Sequence, residues 1–255
     1  MREGALKIFR PEERDRLRSE LLDHAAADGR IGGAAITGSA AEGSEDRWSD
    51  IDLAFAVRSG PDLLEVVDDW TKRMYDRYHA LHHLDMSFGP WLYRVFLLPG
   101  TLQVDLAFVP AAEFRALGPS FRLVFGESNE PRHAPPPQGE SLIGMAWLYA
   151  LHARTSIARG RLWQAEYMIA GVRNHALALA CVRLGLPAVH ARGADLLPSE
   201  ITAQFERSLV KRLDLAELKR AFGVALLALM NEIQASDERL AEKLSPAITM
   251  LRESS

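Results

Sequence analysis

Two hydrophobic patterns divide the chain. Between residues 31 and 109, short apolar runs with alternating polar positions are separated by Gly, Pro and Asp, which is typical of β-strands. Apolar stripes with helical spacing lie among these runs, and after residue 140 helical patterns account for nearly all of the chain. The sequence therefore predicts an α+β protein, with an N-terminal mixed β-sheet flanked by helices and a C-terminal all-α helical bundle.

Individual elements follow from the same patterns. Strands are predicted at 31–37, 50–57, 84–88, 91–98 and 101–109, and helices at 11–28, 61–79, 141–159, 161–185, 199–210, 214–235 and 237–252. The turn signal Pro99-Gly100 joins two of these strands into a β-hairpin.

A proline-containing stretch separates the two halves. Residues 118–140 contain Pro119, Pro131 and the triplet 135–137 among Gly, Ser and Asn, which is incompatible with a continuous helix. We therefore predict an N-terminal domain at 1–117, a linker at 118–140 and a helical domain at 141–255.

Composition limits the class of protein. Hydrophobic residues make up 48% and charged residues 25%, as in ordinary globular domains. The single cysteine, Cys181, excludes an intramolecular disulfide and a cysteine-based zinc site, and its apolar surroundings predict burial. The N-terminal stretch is charged and no window approaches 18 uninterrupted apolar residues, so we expect a cytoplasmic protein without a signal peptide or a membrane partner.

Charge is unevenly distributed along the chain. Residues 1–110 carry 13 Lys/Arg and 19 Asp/Glu, a net charge of −6, whereas residues 111–255 carry 17 and 15, a net charge of +2. An acidic N-terminal half disfavours a nucleic-acid groove, which needs a basic stripe. It is compatible with a metal site and a cationic substrate.

The segment from residue 31 to 57 concentrates the candidate chemistry. Asp50 and Asp52 lie on one face of a predicted strand because strand side chains alternate, and Ile51 points to the other face. Adjacent carboxylates repel one another unless a cation lies between them. The turn at Gly38-Ser39 can present backbone N–H groups to an anion. Together these features predict a nucleoside triphosphate bound through Mg²⁺.

A third carboxylate follows on the hairpin. In the second hairpin strand, Asp105 shares a face with Gln103 and Ala107 in an otherwise apolar run. It is either a third ligand of a two-metal site or a structural carboxylate paired with Arg94 on the opposing strand. Ser39 has two interpretations as well, a phosphate-binding hydroxyl or a helix N-cap.

These residues carry a family resemblance. Gly38-Ser39, a gap of ten residues, Asp50-x-Asp52 and a later strand with Asp105 are similar to the signature of the nucleotidyltransferase superfamily, the polymerase-beta-like fold that includes the antibiotic adenylyltransferases. The resemblance implies a catalytic N-terminal domain in which Asp50, Asp52 and Asp105 are catalytic and bind two Mg²⁺ ions. Gly38 and Ser39 would help to bind the nucleotide, most often ATP.

The predicted helix 161–185 resembles the helical domain of the aminoglycoside and lincosamide nucleotidyltransferases. The resemblance implies Glu166 as the general base, although an ion pair with an arginine is an equal interpretation. Arg173 lies on the same helix side and would hold a nucleotide phosphate or orient Glu166. Asp85 is the alternative general base.

The resemblance implies an enzyme that transfers a nucleoside monophosphate, most often AMP from ATP, to a small-molecule hydroxyl, for example on an aminoglycoside or lincosamide, as in antibiotic resistance. Two alternatives stay open. One is a protein-modifying, AMPylating enzyme of a toxin–antitoxin pair, and the other is a non-catalytic nucleotide-binding sensor. The expected partners are the triphosphate and the hydroxyl acceptor, with no nucleic acid, in a monomer or homodimer.

Overall fold

A computed structural model describes residues 8–133 and 135–253. The chain divides between residues 134 and 135 into two compact units. The first contains a six-stranded sheet with helices and the second contains a run of helices, which confirms the predicted α+β class. Within the described residues, no helix combines the length and the hydropathy needed to cross a bilayer.

The N-terminal unit is built on one mixed sheet. Its elements are α1 (Pro11–Ala27), β1 (Ile31–Thr37), α2 (Gly38–Glu42), β2 (Ile51–Val57), α3 (Leu63–Tyr78), β3 (His82–Phe88), β4 (Trp91–Leu97), β5 (Gln103–Pro110) and β6 (Phe121–Phe125). The strand order is β3-β4-β5-β2-β1-β6. Strands β2 and β5 run parallel and every other neighbouring pair is antiparallel, including the predicted hairpin of β4 and β5.

Local signals explain where the two long helices of this unit begin. Helix α1 starts at Pro11, and the Glu13 carboxylate accepts a 2.9 Å hydrogen bond from the Arg10 backbone N–H. Helix α3 is capped by Asp62, whose side chain accepts a 2.8 Å hydrogen bond from the Leu64 backbone N–H. Both helices then pack against the sheet.

The face of the sheet under α1 and α3 holds the main core of this unit, and we call it the helix-side face. It presents alternate residues of the central strands, such as Leu53 and Phe55 on β2, and these two are fully buried. Phe55 lies 4.7 Å from Trp70 of α3 and 5.4 Å from Phe108 of β5, measured between ring centroids. These large side chains fix how the helices sit on the sheet.

The opposite face, which we call the carboxylate face, has a different composition. It carries Asp52, Ala54 and Ala56 from β2, and Asp105, Ala107 and Val109 from β5. Trp91 and Phe114 pack against the alanines and the valine in a smaller buried cluster. Successive side chains of β2 therefore lie on opposite faces of the sheet, in two different environments.

Strand β6 was not predicted. It pairs with β1 so that Phe121 lies opposite Thr37, inside the stretch that the sequence pattern indicated as a linker. Only five residues long, it lies between Pro119 and Gly126, and Gly126 adopts a left-handed φ of 80°. A short apolar segment enclosed by turn formers gives little periodicity, and its pairing partner is distant in sequence.

Within residues 135–253, the second unit contains five α-helices close to the positions that the sequence pattern predicts. They are α4 (Gly139–Ala158), α5 (Leu162–Arg183), α6 (Ser199–Arg207), α7 (Leu215–Ser236) and α8 (Glu238–Glu253). Helices α4 and α5 pack closely at Gly171 of α5 and Tyr149 of α4. A Cβ added at Gly171 would lie 2.2 Å from the Tyr149 ring. Cys181 is fully buried in this core, as predicted, and is not in a disulfide.

Candidate metal and nucleotide site

Three carboxylates converge on the carboxylate face. Asp52 and Asp105 are directly paired in the parallel register of β2 and β5, and Asp50 immediately precedes β2. Each offers one oxygen, and these oxygens all lie within 4.8 Å of one another. All three residues are partly buried. Within residues 8–133 and 135–253, they are the one group of three or more His, Cys, Asp or Glu residues with metal-binding spacing.

Burial and mutual repulsion disfavour the ionisation of Asp105 in this cluster. Burial raises the pKa of Asp105 to about 6, the hydrogen bond from Gln103 acts against this, and the charge of Asp50 raises it further. The Gln103 amide nitrogen donates to the Asp105 carboxylate at 3.0 Å. A cation between the carboxylates would remove the repulsion and favour the ionised form of Asp105.

Gly38 is required by its contact with this cluster. Its φ is 64°, and an added Cβ would lie 2.0 Å from the Asp52 Oδ2 atom. Only a residue without a side chain allows the turn after β1 to pass so close to the carboxylate. Ser39 lies inside the short helix α2, whose N-cap is Thr37, so the interpretation of Ser39 as an N-cap is wrong.

A buried arginine holds the loop that leads into Asp50. The Arg14 side chain of α1 is nearly fully buried, and its guanidinium donates to the backbone carbonyls of Asp46 and Ser49 at 2.6 and 3.3 Å. It also forms a 3.4 Å ion pair with Glu45. These contacts of Arg14 join residues 31 to 35 positions apart, so no local sequence pattern predicts them. Arg14 thereby links helix α1 to the position of Asp50.

The same loop is also tied internally. The Asp46 carboxylate accepts hydrogen bonds from the Trp48 backbone N–H at 2.8 Å and from the Ser49 hydroxyl at 3.2 Å. Hydrogen bonding to Trp48 is the main reason that the pKa of Asp46 is lowered. This turn chemistry is characteristic of Asp followed by polar residues and was a local signal for an ordered loop.

The interpretation of Asp105 as the partner of Arg94 is wrong. Val95, not Arg94, faces Asp105 in the register of β4 and β5, so alternation directs Arg94 to the helix-side face. There Arg94 donates two 2.7 Å hydrogen bonds to the Asp85 carboxylate and one of 2.6 Å to the Thr71 hydroxyl. These bonds lower the pKa of Asp85. Asp85, the alternative general base, therefore lies on the face opposite the three aspartates.

The remaining candidates, Glu166 and Arg173, lie on α5 of the helical unit. Across the described residues, Glu166 makes no ion pair within 4.0 Å, so its interpretation as an ion-paired residue is wrong. Burial lowers the pKa of Arg173, and the charge of Glu166 opposes this. The Nη1 atom of Arg173 is buried without a hydrogen-bond partner in the described structure. A buried donor without a hydrogen-bond partner costs free energy, so this guanidinium could donate a hydrogen bond to an anionic ligand.

Comparison with solved structures finds chains of similar fold. No protein-family model matches the chain, and no curated protein matches it. The chain is similar to the crystal structure of an aminoglycoside 6-adenyltransferase from Bacillus subtilis, with 12% sequence identity and a TM-score of 0.41. The alignment covers 91% of this chain and 95% of that one.

Proposed function

We propose that this protein is a nucleotidyltransferase that transfers a nucleoside monophosphate, AMP from ATP, to a hydroxyl of a small molecule. The observation that carries the proposal is the cluster of Asp50, Asp52 and Asp105 on one face of the sheet, with Gly38 against it. Carboxylates on neighbouring strands beside a glycine turn are a chemical arrangement for holding metal-bound phosphates.

The three aspartates fit magnesium. Mg²⁺ prefers oxygen ligands, and each aspartate supplies an oxygen within 4.8 Å of the others. Two Mg²⁺ ions are the proposed cofactors, held by Asp50 and Asp52 together with Asp105. When bound, they would supply positive charge to the phosphates and to the acceptor oxygen.

The nucleotide is proposed to bind through its phosphates. Gly38 offers a backbone without steric hindrance beside the Asp52 carboxylate, and Ser39, the next residue, carries a hydroxyl. Arg173 is proposed to pair with a phosphate, and its buried Nη1 atom without a partner supports an anionic ligand.

The reaction is a direct displacement at the α-phosphorus. The acceptor hydroxyl oxygen bonds to that phosphorus, the bond to the oxygen bridging towards the β-phosphorus breaks, and pyrophosphate leaves with the electron pair. Glu166 is proposed as the general base that receives the hydroxyl proton. The absence of an ion pair at Glu166 in the described structure leaves its carboxylate free for this role.

The acceptor is proposed to be a hydroxylated small molecule that carries amines, such as an aminoglycoside or a lincosamide. The acidic N-terminal half of the chain, with a net charge of −6 over residues 1–110, favours a cationic substrate.

Calorimetric titration of ATP, GTP, CTP and UTP, each with and without Mg²⁺, tests the site. We expect one triphosphate to bind only with Mg²⁺, and Asp50→Asn or Asp105→Asn to abolish that binding. The matched control is Asp85→Asn, a carboxylate on the opposite face of the same sheet, which should leave binding unchanged. Equal binding by all four proteins would refute the metal assignment.

A second assay tests transfer. Release of pyrophosphate is measured with the bound triphosphate and a panel of aminoglycosides and lincosamides. Turnover that falls by two orders of magnitude or more in Glu166→Gln would match the loss of a general base. Triphosphate binding without turnover on any acceptor, protein hydroxyls included, would indicate a sensor.

A further inference from the structure

A cavity of about 160 Å³ lies on the carboxylate face beside the three aspartates. Ala54 and Ala107 line it, one from each of the two central strands. They follow Asp52 and Asp105 by two positions on the same strands, which corresponds to roughly 6–7 Å along a strand. The cavity is therefore a neighbour of the carboxylates on the same surface.

The shape of the cavity follows from the strand order. The central strands contribute alanines, whereas β4 contributes Trp91 and Tyr93 and β6 contributes Phe121. Trp91 and Tyr93 are stacked, with ring centroids 6.1 Å apart and planes inclined by 27°. Arg115 and Leu117, from the segment between β5 and β6, also line the cavity, as do the hydroxyl residues Thr37 and Ser120. The result is a low apolar floor between aromatic walls, which suits a flat ring.

The polar groups of the cavity are few. The Tyr93 phenol is partly buried, and burial raises its pKa, so it is a neutral hydrogen-bond donor at neutral pH. Its hydroxyl makes no hydrogen bond with another residue in the part of the chain that the structure describes. Arg115 is the one charged side chain among the described residues that line the cavity. Arg115 forms a 3.2 Å ion pair with Glu113, which offsets its charge.

The size of the cavity indicates what part of a ligand it holds. At about 160 Å³ it is smaller than the roughly 300 Å³ at which pockets for whole small molecules begin. It therefore suits one ring system of a larger ligand whose remainder lies outside. Its distance from the aspartates leaves space for one pentose between a phosphate bound there and a ring bound here.

We propose that this cavity binds the nucleobase of the triphosphate whose phosphates lie at Asp50, Asp52 and Asp105. The inference rests on the proposed function, because it requires a nucleotide at the aspartates. The base lies over Ala54 and Ala107 between the aromatic walls, and the Tyr93 hydroxyl donates to a ring nitrogen or carbonyl oxygen. The cavity would thus contribute to recognition of the donor nucleotide.

Two probes separate the base from the phosphates. ATP and inorganic tripolyphosphate, each with Mg²⁺, are titrated into the wild-type protein and into Ala107→Leu, which fills the floor of the cavity. We expect wild type to bind ATP more tightly than tripolyphosphate. In Ala107→Leu the ATP affinity should fall by about tenfold or more, as on loss of one stacked base, while the tripolyphosphate affinity stays within about twofold.

A second variant, at the surface, tests the same cavity in case Ala107→Leu does not fold. Leu117→Glu places a carboxylate at a partly exposed lining position, and Leu64→Glu is a matched control on α3, on the other side of the sheet. Leu117→Glu should weaken ATP selectively, and Leu64→Glu should not. Thermal unfolding checks that each variant is folded.

The outcomes distinguish failure of the proposed function from failure of the base site. If wild type binds neither probe, the proposed function fails and this inference fails with it. If wild type binds tripolyphosphate as tightly as ATP, the phosphate site stands and the base site is refuted. If ATP binds more tightly but neither Ala107→Leu nor Leu117→Glu weakens it, the base lies elsewhere.

Discussion

The two faces of the N-terminal sheet come from the same strands and are built on opposite rules. On β2, Leu53 and Phe55 point into the helix-side face, where they are buried among large apolar side chains. Alternating with them, Asp52 and Ala54 point to the carboxylate face, where the side chains of the two central strands are small or charged. The helix-side face is filled by large side chains, whereas the carboxylate face leaves a cavity.

This difference separates stability from chemistry. The helix-side face gains free energy from packing, since large buried side chains remove apolar surface from water. The carboxylate face gives up part of that gain, because it brings negative charges together and holds Asp105 at a raised pKa. Substitutions on the two faces should therefore have opposite effects on stability and on ligand binding.

The largest expected effect on stability is on the helix-side face. Phe55→Ala removes a fully buried ring that contacts Trp70 and Phe108, and should lower the free energy of unfolding by about 3–5 kcal/mol. Denaturant unfolding measures the loss. The folded fraction should still bind Mg²⁺ and nucleotide. A loss below about 1 kcal/mol would show that this face is not the stabilising one.

The next effect lies where the backbone meets the carboxylate. Gly38→Ala forces a methyl group to 2.0 Å from Asp52 Oδ2, so the side chain or the turn must move. We expect a loss of about 1–3 kcal/mol in stability together with loss of Mg²⁺-dependent nucleotide binding. The matched control is Gly43→Ala, which has a φ of 70° but no atom within 4 Å of the added carbon. Equal effects of the two changes would mean that backbone strain alone is responsible.

The smallest effect has the opposite sign. Because the pKa of Asp105 is raised from 3.8 to about 6, the folded protein binds more protons than the unfolded chain between these values. The free energy of unfolding of the metal-free protein should therefore fall as pH rises from 4 to 6. Asp105→Asn should remove this slope and raise stability at pH 7 by about 1–2 kcal/mol, allowing for remaining solvent access.

Urea unfolding of the metal-free proteins across this pH range measures the effect. Mg²⁺ should restore the lost stability only in wild type, and its affinity should decrease below pH 6 as Asp105 becomes protonated. If Asp105→Asn destabilises the metal-free protein, the carboxylate has a structural role instead.

Alternation made much of the sheet predictable. The spacing of Asp50 and Asp52 placed both on one side of β2, and the same rule separated Asp105 from Val104 and Leu106. The hairpin followed from Pro99-Gly100. These features depend on residues close in sequence, where geometry leaves few choices.

Features that depend on distant pairing were not predictable. The parallel register of β2 and β5 joins strands separated by α3, β3 and β4, so no local pattern specifies that Asp52 faces Asp105. In the sequence, Arg14 is one of several charged residues on α1. Its contact with the loop before Asp50 depends on the tertiary fold. The error on Arg94 has the same origin, since one residue of hairpin register decides which face it occupies.

The direct pairing of Asp52 with Asp105 also limits how this sheet can change over evolutionary time. A single-residue insertion within β2 or β5 would exchange the two faces of that strand beyond the insertion, which would bury a carboxylate under α1 and α3 and expose leucine or phenylalanine. A change of register at the site would therefore also disrupt the core under α1 and α3. Length variation among descendants of this chain should accumulate in loops and be absent from these two strands.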